Sequence, residues 1–416
     1  MLLSNSESIS NNKRLSLLLD KVAGLDVNDP DWPVTLEQWI KQHPAKWWSG
    51  VWLASEIKGD TGQIFSPEQP SDFTLKESFA DAKLNIAENL LASGAGTDRM
   101  LTCWAEDGPI ELIGRVKLKE IAGRFASAFA DLGLQAGDKV VIDLPNVPDK
   151  LGAFLGASWL GLTSVLHFPW DNLDMQVADS WEDMRPKLIL SCDGYRRNGK
   201  WIDCARKITR LAEKFHNSAM IVPVPCARSR DDVQNIAGVL GWEKFQRIGM
   251  GGGRTYQHIN FNQELVCFYE EKNQTWESIS TGEWLLHNLS FWRLQTDIGL
   301  NCHSLYIGPQ SHENWLKGVC ALATGTDIVL YDGAADAMNE QLYWRIIERE
   351  KVRIVRIDES WLMKLFESKA NPHQNHQLES VQVVIVDGKT TDDHIRFLRE
   401  KCFVNVEQII LADDCT

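Results

Sequence analysis

Lys139-Val140-Val141-Ile142-Asp143-Leu144 is an apolar run of strand length, and Pro145-Asn146-Val147-Pro148 breaks it at once. The next segment, Leu151-Gly152-Ala153-Phe154-Leu155-Gly156-Ala157-Ser158-Trp159-Leu160-Gly161, mixes small and large apolar residues and reads as a helix that packs closely on a sheet. Thr163-Ser164-Val165-Leu166 follows as a second short strand. Strand, helix and strand in direct succession make a βαβ unit, whose strands run parallel on either side of a crossover helix.

The same alternation extends outward in both directions. Upstream, Lys119 to Ala130 carries apolar residues at helical spacing and ends at Gly133, and Gln135-Ala136-Gly137-Asp138 is a turn. Downstream, strands are expected at Pro186 to Ser191, Ala219 to Val224, Leu265 to Tyr269, Asp327 to Tyr331, Val352 to Ile357 and Val381 to Val386, with helices between most of them. The pattern predicts an α/β fold of two layered, largely parallel sheets flanked by helices. We divide it into a Trp-rich helical cap at 1–80, a first α/β subdomain at 81–262 and a second at 263–416. The Ser/Asn-rich stretch before Asp31 is expected to be partly mobile, and Pro33 to start a helix. Trp39, Trp47, Trp48 and Trp52 then read as packing against the main body.

Composition narrows the classes of function. The chain has 416 residues, 44% hydrophobic and 24% charged, as expected of a globular protein with a sizeable core. Its 57 acidic and 43 basic side chains leave a formal charge of −14, which argues against nucleic acid as a partner. Nine scattered cysteines with no CxxC spacing fit neither a disulfide scaffold nor a zinc site. There is no apolar run of ~18 residues to span a membrane and no signal-like core near Met1, so a cytoplasmic chain with reduced thiols is expected.

Several segments together resemble the adenylate-forming acyl-CoA synthetases, and within them the branch that activates acetoacetate. They are Ala82 to Leu91, Gly137-Asp138-Lys139-Val140, Leu144-Pro145-Asn146-Val147-Pro148, Asp193-Gly194-Tyr195-Arg196-Arg197-Asn198-Gly199-Lys200 and Ile328-Val329-Leu330-Tyr331-Asp332-Gly333. Their order and spacing match over most of the chain, and the Gly-Tyr-Arg stretch is the most specific. The resemblance implies a ligase that activates a carboxylate with ATP and Mg2+ and passes the acyl group to coenzyme A. It also implies a Ser/Thr/Gly loop ending in Pro-Lys around the phosphates, where backbone N–H groups and hydroxyls meet the anion.

Most of those chemical positions have changed. After Leu265-Val266-Cys267-Phe268-Tyr269, the family's phosphate loop reads Glu270-Glu271-Lys272-Asn273-Gln274-Thr275-Trp276-Glu277-Ser278, with carboxylates in place of hydroxyls and glycines. A shifted register over Ser278 to Gly282 still lacks the Pro-Lys. The family's Thr-rich stretch reads Ile307-Gly308-Pro309-Gln310-Ser311-His312, and its Gly-Thr-Ser reads Arg356-Ile357-Asp358. The adenosine-pocket turn keeps only Gly388, and Asp414 alone matches the Gly-Gly-Thr-Asp stretch. The chain ends two residues after Asp414, so the resemblance implies that the ribose aspartate and the lysine-bearing C-terminal lid domain are absent.

The expectation is therefore a catalytically degenerate relative with no catalytic residue, no metal and no cofactor of its own, acting by binding a protein partner or a small molecule. Self-association is left open and a membrane partner is not expected. Gly388 and Asp414 stand as remnants of the nucleotide site, and Tyr269, Trp276, Trp284, His312, Trp315 and Asp358 as pocket candidates. Two alternatives remain. One is an active ligase using ATP, Mg2+ and CoA, with a separately encoded C-terminal half. The other is a new activity in the vacated cleft, in a pocket formed by Trp276, Trp284 and Trp315. The remaining chemical-looking features read as structure: Gly249 to Arg254 as a loop, His373 and His376 as solvated, His287 as a helix-surface side chain, Lys351 and Arg353 as a half-exposed strand, and Cys267 as core.

Overall fold

A computed structural model describes residues 13–412, apart from 27–28, 30, 64–73, 93–98, 171–175, 227–230, 252, 271–274, 297–301, 309–310 and 335–339. Near the N-terminus, α1 (Trp32–Gln42) and α2 (Pro44–Ala54) each begin with proline in the first turn, where a missing N–H leaves no helical bond unmade. Trp47 and Trp52 are buried, and Trp52 stacks on Phe79, which stacks in turn on Phe261. The tryptophans thus pack on the body, as their density suggested. Leu15, Leu18 and Leu19 are buried as well, so the stretch expected to be mobile is packed at these leucines, its apolar face outweighing its polar composition.

Two strands, β1 (Leu101–Ala105) and β2 (Gly108–Ile113), form an antiparallel pair, and α3 (Arg115–Asp131) follows. The chain then builds a second unit from β3 (Lys139–Asp143), α4 (Pro148–Trp159), β4 (Thr163–His167), β5 (Leu188–Cys192) and β6 (Met220–Val224). β7 (Glu264–Glu270) and β8 (Thr275–Ser280) complete that sheet in the order β6-β5-β3-β4-β7-β8, parallel except for β8. After α5 (Thr281–Ser290) come β9 (His303–Ile307), α6 (His312–Val319), β10 (Asp327–Asp332), β11 (Ile354–Asp358), α7 (Glu359–Glu367), β12 (Val383–Asp387) and β13 (Gln408–Ala412). Their sheet runs β13-β12-β11-β9-β10-β1-β2, parallel except for β2. Two largely parallel sheets with flanking helices are what the alternation predicted.

The expected boundary at 263 does not separate these sheets. β7 and β8 belong to the first sheet and β1 and β2 to the second, because backbone pairing rather than chain order assigns each strand.

The small residues of α4 explain its packing. A Cβ on Gly156 would stand 2.5 Å from the Phe125 Cβ, and one on Gly152 2.4 Å from the Ile121 Cγ2. Glycine at both places lets α3 and α4 approach closely and bury Phe125 and Phe154. Asn85 then fixes the end of α4: its amide donates to the Ser158 carbonyl (2.9 Å) and its Oδ1 accepts from the Glu88 N–H (3.0 Å). Among the described residues, no helix is long and apolar enough to cross a membrane.

The Gly-Tyr-Arg-Arg-Asn-Gly-Lys stretch is a β-hairpin, Gly194–Arg197 with Lys200–Asp203, turning through Asn198 and Gly199 at positive φ. Glu106, between β1 and β2, accepts from the backbone N–H groups of Asn198 (2.7 Å), Gly199 (2.6 Å) and Ala334 (2.9 Å). This motif therefore ties the hairpin to the second sheet.

Candidate functional site

In parallel sheets, ligands bind beyond the carboxyl ends of the strands, where strand order reverses. In the second sheet that reversal lies at β9, with β10 on one side and β11 on the other. Beyond β3 of the first sheet, the Pro145-Asn146 turn reaches across to meet it. The Asn146 backbone N–H donates to Asp332 Oδ1 (3.1 Å), its side-chain amide donates to the Tyr331 carbonyl (3.0 Å), and its Oδ1 accepts from Trp315 Nε1 (2.9 Å). Asp332 is buried, and burial pushes its carboxyl up to about 6 despite the Asn146 N–H and the Lys150 charge.

Lys150 on α4 is fully buried, and its ammonium donates to the carbonyls of Leu144 (3.2 Å) and His167 (3.3 Å). The same ammonium sits 3.2 Å from the centroid of the Phe168 ring. His312 stacks on Phe168 with ring centroids 4.9 Å apart, and burial, then the Lys150 charge, hold its imidazole well below the usual histidine range. It is a neutral ring in an aromatic stack.

Next to this stack lies a pocket of ≈ 550 Å³, counting its mouth onto solvent, formed by β9, β10 and α6. Tyr306, Gly308, Ser311, Asn314, Trp315 and Tyr331 are among its walls. Ser311 caps α6 by accepting from the Asn314 N–H (3.1 Å), and Asn314 donates through its amide to the Tyr306 hydroxyl.

The adenosine-turn position lies on β11 and β12. Arg356 and Asp387 form a two-pronged, buried ion pair there, with Nε–Oδ2 of 2.6 Å and Nη2–Oδ1 of 2.5 Å. Gly388 has φ of +100°, and Glu359 lies against it: Glu359 Oε2 accepts from the Lys389 N–H at 2.9 Å and would sit 2.3 Å from a Cβ on Gly388. Asp358 accepts from the Ser360 N–H (2.8 Å) and hydroxyl, capping α7. Its Cβ would also lie 2.4 Å from a Cβ on Gly308, so β9 and β11 meet closely.

At the phosphate-loop position β7 and β8 pair as a hairpin, in a register that sets Tyr269 opposite Trp276 and Glu270 opposite Thr275. Glu271, Lys272, Asn273 and Gln274 lie outside the described residues, as do Pro309, Gln310 and Asp414. Trp276 packs edge-on to Tyr269 at 5.6 Å, against the side of the first sheet that carries Trp181 and Phe215.

The six pocket candidates therefore separate. Trp315 lines the pocket, His312 flanks it, and Asp358 stands behind Gly308. Trp284 packs edge-on to Phe154 (6.4 Å), whose ring also meets Trp315 (5.4 Å). Tyr269 and Trp276 stand together on the first sheet. The expected pocket of Trp276, Trp284 and Trp315 is not formed, because β8 carries Trp276 along the sheet edge rather than into the cleft. His287 is also not a surface side chain: it is half-buried against Trp48 (4.9 Å), and burial lowers its pKa.

Sequence reasoning passed over Phe168, Tyr306, Asn314 and Glu359. It also passed over a buried cluster at the ends of β3, β4 and β5, where Asp143 accepts from Ser191 Oγ (2.6 Å), meets His167 Nδ1 (2.8 Å) and pairs with Lys207 (2.6 Å). Burial opposes ionisation of Asp143, but Lys207 and His167 outweigh it and hold the carboxyl well below its usual range. A charge ending an apolar strand was the available signal. Among the described residues, no three His, Cys, Asp or Glu side chains gather where they could hold a metal ion.

No protein-family model matches the chain. An acetoacetyl-CoA synthetase of Gallus gallus is 25% identical over 366 residues, covering 85% of this chain and 54% of that protein. One of Danio rerio is 25% identical over 389 residues, covering 90% and 57%. The structure superposes on acetoacetyl-CoA synthetase from Streptomyces lividans with a TM-score of 0.83, over 98% of this chain and 63% of that one, at 21% identity. Acetoacetyl-CoA synthetases are thus among the chain's homologues. It spans little more than half the length of these curated relatives. The agreement with the Streptomyces acetoacetyl-CoA synthetase is one of fold, the layered α/β arrangement of an acyl-CoA synthetase N-terminal domain.

Proposed function

We propose that this chain is a catalytically degenerate, cytoplasmic relative of acetoacetyl-CoA synthetase that binds a small molecule or a protein partner without forming an acyl-adenylate. The observation that carries this reading is the carboxylate of Glu359 seated on the Gly388 turn, where the family resemblance expects an adenosine pocket. Glu270 at the end of β7 adds a second carboxylate at the phosphate-loop position. An anion meeting a carboxylate at ~4 Å is opposed by about 1 kcal/mol in water and about 4 kcal/mol near a protein surface. The Glu359 side chain against Gly388 and the Glu270 carboxylate support the reading that a nucleoside triphosphate is opposed here.

ATP–pyrophosphate exchange with acetoacetate, together with the thermal shift produced by millimolar Mg-ATP, tests the proposal. Neither signal is expected. Exchange by this chain, or by this chain mixed with a separately encoded lid domain, would return it to the active ligases.

A further inference from the structure

We infer that the pocket of β9, β10 and α6 takes a small, uncharged, ring-bearing molecule with a hydrogen-bonding substituent, and not a carboxylate. This rests on the binding role proposed above and names the ligand chemistry. Among the described lining residues there is no Asp, Glu, Lys, Arg or His; the walls are aromatic and aliphatic, with hydroxyls and the amides of Asn146 and Asn314. A carboxylate entering there would lose its water without meeting a cation. The buried charges around it are paired: Lys150 and Asp332 are of opposite sign and act on each other, and Arg356, which with Asp387 acts on the Tyr306 hydroxyl, is held by Asp387 through two hydrogen bonds. Lys150 also directs its hydrogens to the Leu144 and His167 carbonyls and lies over Phe168, so its charge is satisfied behind the wall. A ligand cation gains nothing either, since the Lys150 ammonium already faces the rings of Phe168 and, at 5.5 Å, Trp315.

The polar groups suit a neutral ligand. Asn314 directs its amide toward the Tyr306 hydroxyl, which leaves its carbonyl oxygen for a ligand donor. The rings of Tyr306, Trp315 and Tyr331 offer faces and edges to a flat molecule. Space exists at the helix wall as well: a Cβ on Gly318 would meet no atom within 4 Å, so a longer side chain there can extend into the pocket without backbone strain.

The test uses the full chain at neutral pH and three probes of one shape: benzamide, benzoate and benzylamine, with acetoacetate as a fourth. Equilibrium dialysis is expected to give benzamide binding at least about 10-fold tighter than any of the charged probes. Gly318→Leu is expected to weaken benzamide by about 10-fold or more while leaving the melting temperature of the free protein unchanged, and Asn314→Leu to weaken it by about 5-fold. The second variant carries the test if the first fails to fold. Equal or tighter binding of benzoate or acetoacetate, no binding of any probe, or benzamide binding untouched by both variants would overturn the inference. A carboxylate preference without pyrophosphate exchange sinks this inference alone, whereas exchange sinks the non-catalytic reading.

Discussion

Arg356, midway along β11, and Asp387, at the carboxyl end of the neighbouring β12, grip each other through two hydrogen bonds, both side chains buried. Arg356 stands opposite Ile385 and Asp387 opposite Asp358, so the ion pair crosses the Ile357–Val386 rung diagonally, beside an otherwise aliphatic layer. Such a pair adds little net stability, because desolvation offsets attraction, but either partner alone is costly. Arg356→Met is therefore expected to destabilise the fold by about 3–5 kcal/mol, and the double variant with Asp387→Leu to recover most of that loss. Urea denaturation of the two single variants and the double variant measures the coupling. A double variant as unstable as the worse single one would contradict it.

Asp332 gives the fold a pH dependence of definite sign. Its folded pKa of about 6 lies above the ordinary 3.8, so between these values the native state holds the proton more tightly than the unfolded chain. The contribution of this group to stability therefore falls as pH rises through that window, and the full penalty is present above about pH 6. Asp332→Asn is expected to raise the stability of the protein at pH 8 by up to about 3 kcal/mol and to change it little at pH 4. Thermal melts at the two pH values compare directly. An equal effect at both would show that the carboxyl is not held in its neutral form by burial.

Glu106 predicts a local effect. Burial works against its charge, but the N–H groups of Ala334, Gly199 and Asn198 prevail and lower its pKa. Its contribution is present above the ordinary carboxylate range and is lost as pH falls through the lowered value. Glu106→Ala is expected to speed hydrogen exchange at the Asn198 and Gly199 amides by about 10-fold or more, leaving the strands of the first sheet protected. Unchanged exchange at those two amides would remove Glu106 as the tie between hairpin and sheet.

The parts of the fold legible in the sequence were those set by local pattern. The βαβ unit could be read from Lys139 to Leu166 because apolar runs, prolines and the Gly152 and Gly156 spacing each state a local geometry. The Asn198-Gly199 turn could be matched as a motif, yet its partner Glu106 is remote in sequence and belongs to another sheet, so its purpose could not be read. The same limit governed the site. His312 stood out through a stretch of the family resemblance and Trp315 as a tryptophan of the cleft, whereas Phe168 and Tyr306 look like core residues until β4 and β9 are placed. Glu359 follows Asp358 as an ordinary first-turn acid, and only folding shows that it covers Gly388.

That covering contact supplies the sharpest prediction about function. If carboxylates at the nucleotide-side turns are what oppose ATP, their removal has to lower the barrier to binding, whatever happens to catalysis. Glu359→Ala frees the Lys389 N–H and the space above Gly388, and Glu270→Ser removes the charge at the end of β7. Each is expected to tighten Mg-ATP binding by about 5-fold, from about 1 kcal/mol of repulsion apiece, and the two together by about 20-fold or more. Isothermal titration of the parent, the single variants and the double variant, at low and at high salt, measures this. Salt is expected to narrow the gap between parent and double variant, since screening weakens the same repulsion. If the double variant binds no better than the parent at either salt concentration, neither the charge of these two carboxylates nor the filling of the Gly388 turn by Glu359 is what opposes ATP.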